Sequence, residues 1–262
     1  MPSYQTILYD ISENVCKITL NRPDAYNAFN EQMKKELNEA LKEIEKDINV
    51  RCVVIRGSGE KAFCSGQDLK EHSGAKRSLK DSLEKNYNPM IRKIRSIEKP
   101  IIAMINGVAA GAGCSLALAC DMRFISDKAR MNLVFINIGL VPDSGAHWFL
   151  PRLVGMAKAF EFAATMKRDI SAEEAERVGL VNKVFPAEKL EEETMLIAKQ
   201  LAQSPTKTIG LIKRTLNKSI TSSLDDLLDY EAIIQQTASE TYDHKEGVQA
   251  FLEKRQAKFL GK

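Results

Sequence analysis

The sequence predicts an α/β fold: a parallel sheet built from alternating strand and helix units, closed by a helical C-terminal region. Three observations carry this. Short β-branched runs, Cys52 to Arg56 and Ile101 to Ile105, are separated by spans of helical spacing, the mark of βα units with parallel pairing. From Gly145 onward that pattern gives way to helical spans almost alone. The 262 residues, 44% hydrophobic and 28% charged, suit one large globular domain or a domain with an appendage.

Taken in order, residues 4–10 and 15–20 read as strands around Ser12-Glu13-Asn14, the second alternating through Val15, Cys16, Lys17 and Ile18. Asn21-Arg22-Pro23-Asp24 ends it. Asn30 then caps a helix to about Asp47, with Met33, Leu37, Leu41 and Ile44 at helical spacing. Cys52 to Arg56 is a buried strand stopping at Gly57-Ser58-Gly59, and Lys61 to Lys76 reads as irregular. Ser78 to Ile97 has a helical pattern that Asn88-Pro89 should kink or restart. A strand at 101–105, a helix near 111–119 and a strand at 121–126 complete the centre. Helices at 145–154, 156–166, 171–178, 187–203, 206–218, 222–239 and 244–254 follow, with a short strand near Val181. Ser171 and Glu174 form a capping-box pair. These helices are expected to pack on the end of the sheet or on another subunit rather than extend it. The chain divides into a core, 1–200, and a helical region, 201–262.

Composition excludes several classes. A net charge of +3 argues against nucleic acid as the main partner but leaves room for a local basic patch. The start, MPSYQTILYD, lacks the regions of a secretory signal, and no apolar run approaches the roughly 20 residues that span a bilayer. The five cysteines are scattered without a CxxC pair, so neither a disulfide framework nor a metal site is indicated and a reduced, cytoplasmic compartment is expected. GxGxxG, GxxxxGK[ST] and GxSxG are all missing, and His72, His147 and His244 stand alone.

The chemistry-bearing stretch runs from Lys99 to Gly155. Ala109-Ala110-Gly111-Ala112-Gly113 leads a strand into a helix, leaving backbone N–H groups and a positive dipole end for a ligand. Phe63-Cys64-Ser65-Gly66-Gln67-Asp68-Leu69 is a second small-residue turn after a strand. Two such turns matter because an oxyanion hole needs two N–H donors from separate segments. Asp143, between Pro142 and Ser144-Gly145, sets one carboxylate at a tight turn. Plainer readings stand beside these: close helix–strand packing, a surface loop, and a cap for the next helix. The basic stretch Lys254 to Lys258 reads as a solvated face that could also meet phosphates.

The order and spacing of several pieces narrow the choice. They are Asn21-Arg22-Pro23 with Asn27-Ala28, Ala62 to Leu69, Lys99 to Ala103 with Asn106-Gly107, and Ala109 to Gly113. Ala119-Cys120-Asp121, Gly139 to Pro142, Ala172 to Ala175 and Gly179-Leu180-Val181 complete the set. Over essentially its whole length the chain resembles the crotonase, or enoyl-CoA hydratase/isomerase, superfamily. The resemblance implies a crotonase-like spiral of ββα units and a C-terminal helical region that makes homotrimers or dimers of trimers. It implies an acyl-CoA thioester substrate and neither a metal nor a further cofactor. It assigns the oxyanion hole to the backbone amides of Gln67 and Ala112, the latter replacing a usual glycine, and the acid–base role to Asp143. Substrate and coenzyme A contacts are implied at Arg22, Ala25, Ala62, Cys64, Ser65, Gly66, Asp68, Leu69, Gly111 and Phe135. Phe251 and Lys254 match positions that line a neighbouring subunit's coenzyme A site.

The departures are equally informative. Hydratases of this family carry two glutamates, where this chain has Ser115 and Phe135. Adding water to a double bond needs a carboxylate to activate the water and an acid to protonate the α-carbon. Asp143 sits where several family isomerases and the aryl-CoA dehalogenases have an aspartate, but the dehalogenase pattern also needs a histidine near 88 and a tryptophan near 135, where Asn88 and Phe135 stand. Phe135 should keep that part of the pocket apolar and raise the Asp143 pKa. Ile138 to Gly145, Trp148, Leu150-Pro151-Arg152, Gly210 to Lys213 and Glu246 to Leu252 resemble the phenylacetate-pathway ring-epoxide isomerases. The leading expectation is an acyl-CoA isomerase, set against a hydratase using one carboxylate and an acyl-CoA-binding member without chemistry.

Overall fold

The computed structural model describes residues 4–72 and 78–262. Strands β1 (Ile7–Ser12) and β2 (Val15–Leu20) form a hairpin whose loop residues Glu13 and Asn14 have φ of 50° and 63°. Positive φ at both loop positions is the turn that matches the twist of the flanking strands. It pairs Ser12 with Val15, so the first strand starts later than the expected 4–10 and runs on to Ser12. Helix α1 (Glu31–Lys46) begins where the Asn30 side chain accepts the Met33 N–H at 2.9 Å. Its Met33, Leu37, Leu41 and Ile44 are buried as the spacing requires, each contributing about 1.5–3 kcal/mol.

The chain then alternates between two sheets. β3 (Cys52–Gly57) enters the large sheet and β4 (Ala62–Cys64) the small one. α2 (Leu69–His72), α3 (Leu79–Ser82) and α4 (Asn88–Ser96) follow. The expected irregular span 61–76 thus holds a strand and a helical turn, and its residues 73–76 lie outside the described ones. Between α3 and α4 the helix widens into a π turn over Leu83–Tyr87. That wider turn absorbs the missing N–H and ring bulk of Pro89, so the kink expected at Asn88-Pro89 becomes a change of pitch.

β5 (Ile101–Ile105) returns to the large sheet, β6 (Val108–Ala110) to the small one, and α5 (Ala112–Ala119) closes that turn of the spiral. β7 (Met122–Ser126) and β8 (Arg130–Asn132) repeat the step. α6 (Ala146–Ala164) breaks at Gly155, φ 76° and ψ 163°, which yields the two helices expected there. β9 (Ile170–Ser171), α7 (Ala172–Arg177) and β10 (Lys183–Phe185) come next. The sheet orders are β1-β2-β3-β5-β7-β10 and β4-β6-β8-β9, parallel except at β1/β2 and β8/β9. The expectation that the region after Gly145 adds nothing to the sheet is corrected: β9 and β10 each extend one. At two and three residues they are too short to show alternation.

The last helices are α8 (Leu190–Gln203), α9 (Thr206–Ser219), α10 (Leu224–Ser239) and α11 (Tyr242–Leu252). α8 lays Leu190, Ala198 and Ala202 against Val54, Ile102 and Phe124 of the large sheet, so a division at 200/201 falls inside that helix. α9 is latched by buried Lys213, which donates to the Asp121 carboxylate and to the Ile94 carbonyl, each at 2.7 Å. Arg95 completes that cluster at 2.8 Å from Asp121. Among the described residues no helix is long and apolar enough to cross a membrane.

Candidate active site

The site begins with two glycines whose backbone lies in the left-handed region, Gly66 at φ 94° and Gly111 at φ 52°. Around Gly66, the Phe29 N–H donates to the Gly66 carbonyl at 2.8 Å and the Asp68 N–H donates to the Phe29 carbonyl at 2.9 Å. These bonds make a parallel bridge between Phe29 and Gln67, in which Phe29 takes both bonds and the Gln67 N–H points the other way. Around Gly111, the Gly111 N–H is spent on the Asn132 carbonyl at 3.1 Å. Ala112 is the first residue of α5, so no carbonyl lies one turn back to accept its N–H.

The two turns touch. A Cβ placed on Gly66 would fall 2.9 Å from the Ala110 carbonyl oxygen and 3.3 Å from the Ala112 nitrogen. Gln67 and Ala112 both line one cavity of about 400 Å³, with the positive end of α5 beside it. The Gln67 side chain is anchored: its Oε1 accepts from the Tyr87 O–H at 2.6 Å and from Lys34 Nζ at 3.3 Å, and its Nε2 donates to the Phe29 carbonyl at 3.2 Å. Leu69, Leu79, Leu83, Val134, Phe135, Ile138, Leu140 and Val141 give the cavity apolar walls. A larger, open groove of about 570 Å³ runs between α9 and α10 but lacks paired amide turns.

Asp143 is the one carboxylate among the described residues lining the cavity. Its turn is held from two sides, the Ala146 N–H and the Ser115 hydroxyl donating to the Asp143 carbonyl at 3.0 and 2.9 Å. Ser144, at φ 52°, donates its hydroxyl to Asp143 Oδ1 at 2.9 Å. Burial raises the Asp143 pKa above the ordinary aspartate value, with the Ser144 hydrogen bond and His147 pulling it back. The result is a carboxylate more basic than usual, facing an apolar cavity beside two unspent amides. Ser115 is fully buried and does not line the cavity, whereas Phe135, 8% exposed, does.

Of the residues singled out in the sequence, the structure brings Ser65, Gly66, Gln67, Leu69, Gly111, Ala112, Phe135 and Asp143 to this cavity. Arg22 and Asp68 instead pair with each other at 2.9 Å. Ala25 lies in the 3-10 turn Pro23–Ala25, and Ala62 and Cys64 are buried in β4, where burial pushes the Cys64 thiol up to about 12. Phe251, 83% exposed, lines a separate groove beside α11, and Lys254 follows that helix. Arg255 pairs with Glu246 and Glu253, each at 2.6 Å, as a solvated face would. Sequence reasoning passed over Tyr87 and its neighbours. The signal was the spacing of four through Leu79, Leu83 and Tyr87, which sets one helix face toward the cavity.

A two-sheet spiral brings two glycine turns and, among the described residues, one carboxylate to an apolar cavity, an arrangement able to hold a developing oxyanion and move a proton. Residues 10–262 match the enoyl-CoA hydratase/isomerase family, and the chain belongs to that family. It is 40% identical over 260 residues to the 1,2-epoxyphenylacetyl-CoA isomerase of Escherichia coli K12, covering 98% of each chain. It is 34% identical over 262 residues to the crotonyl-CoA hydratase of Syntrophomonas wolfei, covering 99% of this chain and 100% of the other. The crystal structure of enoyl-CoA hydratase from Bacillus anthracis superposes with a TM-score of 0.94 at 35% identity, covering 98% of this chain and 100% of that one.

Proposed function

We propose that the chain is an acyl-CoA isomerase in which the Gln67 and Ala112 amides hold the thioester oxygen while Asp143 carries a proton from one carbon to another. The observation that carries this reading is that Asp143 is the one carboxylate among the described residues lining the cavity, while Phe135 beside it and Ser115 buried behind it stand where the resemblance places the two glutamates of hydratases. Removing a proton next to the thioester puts negative charge on its oxygen, and two preorganised N–H donors stabilise that charge without reorganising. Asp143 then returns the proton at the far end of the dienolate, or assists an isomerisation of a ring-epoxide acyl group. The apolar walls keep water from the intermediate, which favours isomerisation over hydration. Relatives carry both isomerase and hydratase names, so hydration by Asp143 alone is the second reading.

Asp143→Asn tests the proposal, assayed for 3-enoyl-CoA isomerisation beside crotonyl-CoA hydration. The variant should lose roughly 10²–10⁴-fold of isomerase turnover and keep binding CoA esters. Near-native isomerisation by the variant would sink the assignment, hydration as the dominant wild-type reaction would favour the second reading, and binding without any turnover would point to a non-catalytic member. The site is also proposed to work in a homotrimer or a dimer of trimers, supported by exposed Leu216, Leu224, Leu228 and Ile233 on α9 and α10.

A further inference from the structure

One polar arc in the cavity anchors the Gln67 side chain but has as yet no contact assigned to the acyl group. Tyr87 and Ser82 both line the cavity, on a wall otherwise made of leucines. The Tyr87 ring is fixed edge-on against Phe29, with centroids 5.6 Å apart, and Lys34 Nζ sits 5.0 Å from its centroid. Its hydroxyl is thereby held in one place. Lys34, 1% exposed, pairs with Glu31 and reaches Ser82 Oγ at 3.2 Å and Gln67 Oε1 at 3.3 Å.

This arrangement gives Tyr87 a proton it can redirect. Its O–H donates to Gln67 Oε1 at 2.6 Å, but that oxygen has a second donor in Lys34. A ligand oxygen entering beside Tyr87 can take the phenolic proton while Gln67 remains satisfied, so no buried acceptor is orphaned. Burial, with Asp143 among the nearby negative groups, holds the Tyr87 pKa well above the ordinary phenol value, so the group remains a donor throughout the neutral range. A hydrocarbon chain would leave the Tyr87–Gln67 bond in place and gain nothing from it.

Building on the isomerase reading, we propose that Tyr87 is a specificity-determining residue that donates its O–H to an oxygen on the acyl group. The cavity thereby selects acyl thioesters bearing an epoxide, keto or hydroxyl oxygen over plain hydrocarbon chains.

The experiment is calorimetric binding, which does not depend on turnover. Octanoyl-CoA is compared with eight-carbon acyl-CoA esters carrying one keto group at successive chain positions, for wild type and Tyr87→Phe. In wild type at least one keto position should bind roughly tenfold tighter than octanoyl-CoA, the factor one well-made hydrogen bond supplies. Tyr87→Phe keeps the ring against Phe29 and should erase that preference; thermal melting checks its fold. The proposal is overturned if no keto position binds tighter in wild type, if the preference survives in Tyr87→Phe, or if the variant weakens both ligand types alike, as a purely structural role would. Wild-type isomerisation of 3-hexenoyl-CoA, measured in parallel, reports separately on the isomerase reading.

Discussion

At the scale of single residues, the balance of burial and hydrogen bonding at Asp143 sets how readily its carboxyl ionises, on which the proposed chemistry and the pH dependence of stability both depend. Its folded pKa is raised, so the folded chain holds this proton to a higher pH than the unfolded chain does. Below the ordinary aspartate range, about pH 4, both states are protonated and the site carries no penalty. As pH rises through the raised value, the folded state must bury a charge and loses stability. Asp143→Asn, which keeps the Ser144 contact, should therefore melt higher than wild type at neutral pH, with the difference vanishing as pH falls toward 4. A melting difference that grows on acidification would contradict this. Ser115 gives a second expectation. It is fully buried with its hydroxyl on the Asp143 carbonyl, so Ser115→Glu would bury an unpaired carboxylate and cost on the order of 3–5 kcal/mol. Urea unfolding should show that loss, and crotonyl-CoA hydration should not appear; a stable variant that hydrates would refute the placement. Asp143 and Gly66 were legible in the sequence because turn chemistry is local. Tyr87 was not, since an aromatic on an amphipathic helix reads as core until the cavity beside it is seen.

At the scale of elements, the candidate active site is a contact between two turns that lie far apart in the chain. Gly66 makes the approach possible: its φ is 94°, and a Cβ there would press on the Ala110 carbonyl at 2.9 Å. Gly66→Ala should cost about 1–3 kcal/mol from backbone strain. By moving the Gln67 amide off its target it should also lower isomerase turnover roughly 10²–10³-fold, the loss seen when one oxyanion donor is removed. Wild-type turnover in a folded variant would show that the amides are not the oxyanion donors. The long elements were legible because α1 repeats its period over enough residues and β5 is an unbroken apolar run. The small sheet was not. β4, β6 and β8 have three residues each and β9 two, and they exist because their neighbours pair with them rather than through a pattern of their own. Legible turns thus sat on a sheet that only tertiary pairing reveals.

At the scale of the whole molecule, the helical C-terminal region is fastened to the core by a buried charge cluster. Lys213 on α9 meets Asp121 just before β7, where Arg95 and the Ile101 N–H also converge. Lys213→Ala leaves that carboxylate without its buried cation and should destabilise the chain by about 3–5 kcal/mol, read by urea unfolding. If the proposed assembly uses the exposed apolar side chains of α9 and α10, loosening α9 should weaken it, and light scattering of the variant should show a smaller species than wild type. Unchanged stability and size would mean that the helical region docks by apolar packing alone.

The proposed function rests on one carboxylate moving one proton across a held dienolate. It is tested most directly by following the label of a 3-enoyl-CoA deuterated at C2. The product should be 2-enoyl-CoA, with part of the deuterium returned to C4 by the same carboxylate. Formation of 3-hydroxyacyl-CoA as the main product, or a 2-enoyl product with no deuterium at C4 even at the shortest reaction times, would contradict it.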